Sequence, residues 1–495
     1  MADLLLGIDI GTTGTKAVLL DASAGRVVAS ASRPAALHTP GPGIAEADTA
    51  DWWGNICELV PELLRIAGAD NGAIATVAAS GMVPAVVPLD RAGTPLRRAI
   101  LQNDARAGKE IDELSEQLRA LDLVALTGSA LTQQSVAPTV VWLRRHEPRV
   151  LASLGTLAGS YDWAARALGA RPHVEQNWAI ESGLFDLDGQ VLDPVVSAAG
   201  IEPEWLPEVV APGQIVGEVS GGAAEETGLR AGTPIVVGGA DHVLSAYSAG
   251  LSRPGDWLVK LGGAGDILVT TDQAFTDPHL YLDAHPVPDL WLPNGCMATS
   301  GSLIRWFQSL VGGAPLAELD DEAQERAPGA ILCLPYFLGE KSPLHDPNLR
   351  GAFVGLHLGH DRAALYRAVL EAVAFGFRHH LEVLADRGVA LDQARVSNGG
   401  AASQLWKQIH ADVLGVTLHP VLDHPGASLG AAQVAGVGVG LLEDWGVVVD
   451  HVTLGEAVEP DESLAAFYAE RYQLWRELGD ALTPYSHHLA TRGSP

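Results

Sequence analysis

Three stretches of this chain hold residue types and spacings that can handle phosphate groups and a hydroxyl proton. The first is "GIDIGTTGTK", residues 7 to 16, followed by "AVLLD". The second is "GTPIVVGGADHVLSAYSAGL", residues 232 to 251, and the third "GDWLVKLGGAGDILVTTD", residues 255 to 272. A glycine-bearing turn lets backbone N–H groups come close to an anion. A carboxylate such as Asp241, presented after two glycines at the start of a helix-like run, can accept a proton from a hydroxyl. Aspartates also cap helices, so Asp241 has that second reading, and the two roles are compatible.

The elements that must position these residues follow from the patterns around them. Leu4 to Ile10 and Lys16 to Asp21 are apolar runs flanking a Gly/Thr turn, which predicts a hairpin. A P-loop needs Gly-Lys-[Ser/Thr] leading into a helix; here Lys16 follows Thr15 and a strand comes next, so that motif is excluded. The stretch from Gly255 repeats the strand–turn–strand order about half a chain later, which predicts a duplicated architecture with one hairpin opening each half. Residues 104 to 170 carry apolar residues at helical spacing. Residues 366 to 388, stopped by Gly388, and 403 to 415, opening after "NGGAA", read as further helices. Residues 424 to 440, "HPGASLGAAQVAGVGVG", read as a small-residue helix that packs closely on a neighbour.

With 495 residues and 47 % hydrophobic composition, the chain predicts two domains with sizeable cores. Its formal net charge of -29 argues against nucleic acid and against an anionic membrane surface. Cys57, Cys296 and Cys333 are too few and too dispersed for a disulfide framework or a zinc site and read as packed thiols. The histidine pairs His379–His380 and His487–His488 lack further ligands at metal spacing and read as surface residues. No basic leader or long apolar run appears, and the expected location is cytoplasmic.

These motifs, in this order, resemble the FGGY family of carbohydrate kinases, within the actin-like ATPase superfamily. The residues that carry the resemblance run from "GIDIGTTGTKAVLLD" through "LQNDARA" (101 to 107), "LRAGTPIVVGGAD" (229 to 241) and "SGSLIRWF" (300 to 307). They continue through "FLGEKSPLHDPNLRGAFVGLHLGHDRAALYRAVLEA" (337 to 372) and "SNGGAASQLWKQIHADVLGV" (397 to 416). The resemblance implies an α/β chain of two ribonuclease-H-like domains, expected over residues 1–246 and 247–495, with the site in the cleft between them. It implies ATP and Mg²⁺ as cofactors and a small sugar or polyol as partner, and a homodimer is a family-level expectation.

Residue by residue, the resemblance makes Asp241 the general base and Asp9 the metal-organising carboxylate. Gly11, Thr12, Thr13, Gly14 and Thr15 would face the phosphates with backbone amides and hydroxyls. Lys16 would neutralise charge there or be a solvated strand-end lysine. Gly262 and Gly263 form the second phosphate turn. Gly399, Gly400, Ser403 and Gln404 are expected on one wall of the adenine pocket and Gly301, Arg305 and Trp306 on the other, with core packing the alternative for Trp306. At the sugar end the resemblance points to Met82, Val83, Asn103, Asp104, Arg106 and His242, with an ion pair the alternative for Asp104 and Arg106.

Several positions depart from the family pattern. Gly263 and Ala264 stand where relatives carry hydroxyl residues, with Lys260 and Asp266 flanking the turn. Met82 to Ala85 stand where xylulose kinases usually have Gln-Met-His-Gly, so a sugar-binding histidine is missing. His242 stands where relatives often have Asn or Gln, and Thr139 replaces a usual lysine. The expectation is a xylulokinase-like enzyme acting on a ketopentose such as D-xylulose or on a related ketose or polyol. A nucleotide-dependent sugar-binding sensor with little transfer is the rival reading, supported by the altered second turn. An actin-like chaperone or polymerising ATPase would need neither "GEKSPLHDPNLRG" nor the Gly-Gly-x-Asp run.

Overall fold

The computed structural model describes residues 3–492. The first hairpin forms as expected: β1 (Leu4–Gly11) pairs antiparallel with β2 (Gly14–Asp21), which pairs with β3 (Arg26–Pro34). Helix α1 (Thr49–Ala67) packs against this antiparallel side. On the other side of β1 lies parallel β4 (Ile74–Gly81). Strand β5 (Ile215–Glu218) pairs antiparallel with β6 (Pro234–Ala240), which runs parallel to β4. The six-stranded order is therefore β5-β6-β4-β1-β2-β3. Between β4 and β5 the chain makes several short helices, among them α2 (Gln176–Ser182). Helix α3 (Asp241–Ser248) follows β6 without a loop.

The second half repeats this grammar. Strands β7 (Asp256–Leu261) and β8 (Gly265–Val269) form the second hairpin. Strand β8 pairs antiparallel with β10 (Trp291–Met297), which pairs with β9 (Tyr281–Ala284). On the other side of β7, β11 (Gln393–Ser397) and β12 (Leu418–Leu422) are parallel, and β13 (Thr453–Leu454) closes the edge. The order is β9-β10-β8-β7-β11-β12-β13. In both sheets a hairpin lies on one side and parallel strands lie on the other, so each half is a ribonuclease-H-like α/β unit. Helices α4 (Gly301–Leu310), α5 (Arg362–Asp386), α6 (Gln404–Leu414) and α8 (Ala465–Arg492) belong to the second half.

The small-residue helix α7 (Ala427–Gly438) lies against β1, β4, β6 and α3, all elements of the first half. The contact is backbone to backbone. A Cβ at Gly7 would come within 2.6 Å of the Ala432 amide nitrogen, and one at Gly430 within 2.8 Å of the Leu244 carbonyl carbon. Glycine and alanine in this helix therefore do what their size permits: they join the two halves along a flush seam.

One expectation is corrected here. His379 and His380 are buried in α5, not on the surface. His380 uses both ring nitrogens, with the Ser342 hydroxyl at 2.9 Å and the Gly376 carbonyl at 2.9 Å. Burial holds both histidines far below the ordinary imidazole range, His380 at about 4, so both are neutral core residues. His487 and His488 are exposed as expected. Burial likewise pushes up all three cysteine thiols, which disfavours the thiolate form. Among the described residues no helix is long and apolar enough to cross a membrane.

Candidate active site

In the first sheet, β1, β4 and β6 are parallel, and ligands of such sheets gather beyond the carboxyl ends of the strands. Asp9 stands near that end of β1, in register with Ser80 of β4, which in turn pairs with Gly239 of β6. Two residues on, Asp241 opens α3, with Ala240 rather than Asp241 in the capping position. Its side chain is 40 % exposed, and it accepts a hydrogen bond of 2.6 Å from the His242 amide. The aspartate is thus presented to the cleft and not spent as a cap.

Asp9 has a different setting. It lies opposite Lys16 in the hairpin, and its Oδ1 is buried with no hydrogen-bond partner. Burial, and then the charge of Asp241, push its pKa up to about 7, against smaller opposing pulls from Lys16 and Lys260. An orphaned buried carboxylate oxygen beside a second carboxylate is what a divalent cation relieves, so the residues present fit Mg²⁺.

Two cavities meet at the second hairpin. The smaller, of ≈ 260 Å³, is lined by Val83, Gln102, Glu181, Asp241, His242 and Lys260, among others. The larger, of ≈ 690 Å³, is lined by Lys16, Leu261, Gly262, Gly263, Gly301, Arg305 and the Asn398–Gly400 turn, among others. Lys260 faces one cavity and Leu261 the other, so a single strand end separates them. Gly301 fits only because it has no side chain: its amide donates to the Gly262 carbonyl at 2.8 Å, and a Cβ would stand 2.7 Å from that oxygen. A Cβ at Gly400 would stand 2.6 Å from Leu261 Cβ. Asn398 holds a positive φ of 71°, a strained conformation for any residue but glycine, beside the same turn.

Register explains the far wall of the smaller cavity. Lys260 pairs with Asp266 across the hairpin, and Asp266 pairs with Cys296 of β10. Asn294, two residues before Cys296, faces the same side, opposite Tyr281 of β9, with Asp283 two residues further along. Lys260 Nζ lies 3.3 Å from Asp266. Burial would lower the lysine's pKa, but Asp266 and then Asp241 outweigh it and keep the ammonium charged. His242 Nε2 lies 2.8 Å from Asp283 Oδ2, and its Nδ1 lies 3.5 Å from Asp241. Burial opposes the charged imidazole, yet Asp283 and Asp241 raise its pKa well above the ordinary range.

Of the residues singled out from sequence, Val83, Asp241 and His242 line the smaller cavity. Lys16, Gly262, Gly263, Gly301, Arg305, Gly399, Gly400 and Ser403 line the larger. Ser403 also caps α6, accepting from the Trp406 amide at 3.0 Å. The first turn is divided. Gly11 and Gly14 pair across it, Thr12 accepts from Gln102 at 3.3 Å and Thr13 is exposed. The Thr15 hydroxyl is buried beneath the turn and accepts from Asn55 at 3.3 Å, so it does not face the cleft.

Other expected contacts are not brought to a cavity. Met82 is a core residue, Asn103 and Gln404 are exposed and line neither cavity, and Trp306 packs on Phe337 with ring centroids 4.4 Å apart. Asp104 and Arg106 form a buried structural cluster: Arg106 reaches Asp104 at 2.8 Å and Glu46 at 2.7 Å, and stacks over Trp142. An ion pair that also accepts the Ala45 amide, at 2.6 Å, is committed to the loop it braces. Gln102, Glu181, Tyr281, Asp283, Asn294 and Lys341 are among the lining residues that sequence reading missed. For Tyr281, Asp283 and Asn294 the available signal was polar side chains at alternate positions of otherwise apolar strands, as in "YLDA" and "WLPNGCM".

Comparison with known proteins agrees with this arrangement. The N-terminal domain of the FGGY family of carbohydrate kinases matches residues 4–248, and the family's C-terminal domain matches 262–439. A xylulose kinase of Staphylococcus epidermidis is 26 % identical over 482 residues, covering 96 % of each chain. An autoinducer-2 kinase of Yersinia enterocolitica is 30 % identical over 466 residues, covering 89 % of this chain and 87 % of that one. The crystal structure of a xylulose kinase from Rhodospirillum rubrum superposes with a TM-score of 0.92 at 43 % identity, covering 98 % of this chain and all of the other. With paired sheets, hairpins facing a shared cleft and matches along both halves, the chain belongs to the FGGY family of carbohydrate kinases.

Proposed function

We propose that the protein transfers the terminal phosphoryl group of ATP to a hydroxyl of a ketose or polyol, with a ketopentose such as D-xylulose the first substrate to try. The observation that carries this reading is that successive residues of one strand end, Lys260 and Leu261, line the two cavities, with Asp241 on the smaller and Lys16, Gly262 and Gly263 on the larger. A sugar in the smaller cavity would present one hydroxyl to Asp241. The carboxylate takes that proton as the hydroxyl oxygen forms its bond to phosphorus; the bond from phosphorus to the bridging oxygen breaks, and ADP leaves with the electron pair.

The larger cavity would hold the nucleotide, its adenosine against Gly399–Gly400 and its phosphates towards the two hairpins. Asp9 would hold Mg²⁺, which when bound screens the phosphate charge. Gly263 and Ala264 offer no hydroxyl, and the loss of one charge-assisted contact costs about 1.5–3 kcal/mol. Lys260, kept charged by Asp266 and Asp241, supplies a compensating cation beside the transferring group. This weakens the sensor reading, whose support was the altered turn.

The test is ADP release across pentuloses, hexuloses and pentitols. Turnover should depend on the sugar, and Asp241→Ala should lower it by on the order of 10²–10⁴-fold while nucleotide binding is kept. Equal turnover in the variant would remove Asp241 from the chemistry. Sugar binding by the wild type with no ADP from any candidate would favour the sensor.

A further inference from the structure

Three polar groups in the smaller cavity have no task in the transfer step: Glu181, His242 and Asp283. Their potential ligand atoms lie within 4.8 Å of one another. Asp283 is buried, and its Oδ2 is taken by His242 at 2.8 Å and by Asn294 at 2.7 Å. Its Oδ1 has no partner, and neither has the buried Glu181 Oε1. The Gln102 Oε1, on the same lining, is a third buried acceptor without a donor.

Their alignment is built into the fold. Asn177 of α2 donates to the Ala284 carbonyl at 2.9 Å and accepts from the Ala284 amide at 2.8 Å. This double bond of contacts ties the helix that carries Glu181 to the strand that carries Asp283. His242 then bridges Asp283 to Asp241. His242, charged beside Asp283 and Asp241, is the cation of this group; the cavity's lysines are engaged elsewhere, Lys260 with Asp266 and Lys341 beside Cys296.

Buried acceptors without donors cost free energy until something donates to them. Resting on the kinase reading, we propose that Glu181 and Asp283 are specificity-determining residues that accept hydrogen bonds from two hydroxyls of the substrate remote from the reacting one. The matching ligand is a neutral, hydroxyl-rich chain. A sugar acid whose carboxylate entered this end would face the Asp283 carboxylate, and the cation there, His242, is already engaged by Asp283 and Asp241. Burial and Asp283 hold the Glu181 proton well above the usual carboxylate range, and hydroxyls suit either form because they donate and accept.

The test is calorimetric binding of xylitol, D-xylulose and D-xylonate to the full chain without nucleotide, together with KM and kcat for each. The neutral compounds should bind, and D-xylonate should bind at least about ten-fold more weakly. Glu181→Leu should weaken neutral ligands roughly ten- to a hundred-fold, mainly in KM, and Glu181→Gln, which keeps an acceptor and a donor, should recover most of that loss. Preference for D-xylonate, or neutral-ligand affinity unmoved in Glu181→Leu, would overturn the inference. So would tight binding of Mn²⁺ or Zn²⁺ alone that disappears in Glu181→Leu, which would make the trio a metal centre. Binding that follows the variants as expected, with no ADP released, would uphold the inference and overturn the kinase reading; normal turnover with KM unmoved would do the reverse.

Discussion

Asp9 and Asp241 divide the work of two carboxylates by environment. Asp241 opens onto the cleft, whereas Asp9 is held up near pH 7 by burial and by Asp241 itself. That difference has a thermodynamic consequence. An unfolded aspartate has a pKa near 3.8, so between about 4 and 7 the folded chain binds a proton that the unfolded chain has lost. Asp9 therefore makes the protein less stable as pH rises through that window, and the penalty is complete above about 7. Asp9→Asn, which is neutral throughout, should raise the thermal midpoint at pH 8 and leave it nearly unchanged at pH 4, while turnover falls. Melting curves of both proteins at the two pH values check this; a midpoint gain equal at both would assign the effect to something other than ionisation.

At the scale of elements, the two hairpins are not equivalent. The first puts Thr12 and Thr15 hydroxyls against its own half, at Gln102 and Asn55. The second has traded hydroxyls for flanking charges and fastens its Gly262 and Gly263 carbonyls to the first amides of α4. Helix α7 couples the halves through backbone proximity, which only small residues allow. Two glycine substitutions should therefore differ in sign. Gly430→Ala forces a Cβ onto Leu244 backbone and should destabilise by about 1–3 kcal/mol. Gly54→Ala in α1, where nothing lies within 4 Å of the added Cβ, should stabilise by up to about 1 kcal/mol. Denaturant titrations of the two variants decide it, and equal effects would contradict the seam.

For the whole molecule, residues of both halves line each cavity, so bringing the halves together changes both at once. Closure that excludes water would protect the phosphoryl group from hydrolysis. A sugar held by Glu181 and His242 of the first half and Asp283 of the second would draw them together. Small-angle scattering should accordingly show a smaller radius of gyration with nucleotide and sugar together than with either alone. An unchanged radius under saturation with both would exclude closure of this kind.

Local chemistry made much of this legible in the chain itself. The hairpins at Gly11–Gly14 and Gly262–Ala264, the helix opened by Asp241 and the close-packing helix after Pro425 are each specified by glycine, turn grammar and apolar period within a dozen residues. The sugar end was not legible in the same way. Asp104 and Arg106 admitted both a recognition role and an ion pair; the ion pair forms, and Glu46, sixty residues before Arg106, joins it through the guanidinium. Glu181, Asp283 and Asn294 looked like nothing, because a polar side chain in a short helix or a strand acquires meaning only when packing and register decide which way it faces. Sequence periodicity determines which atoms can be turned inward; the pairing of strands far apart in the chain decides which of them share a cavity, and that pairing is a property of the packed core.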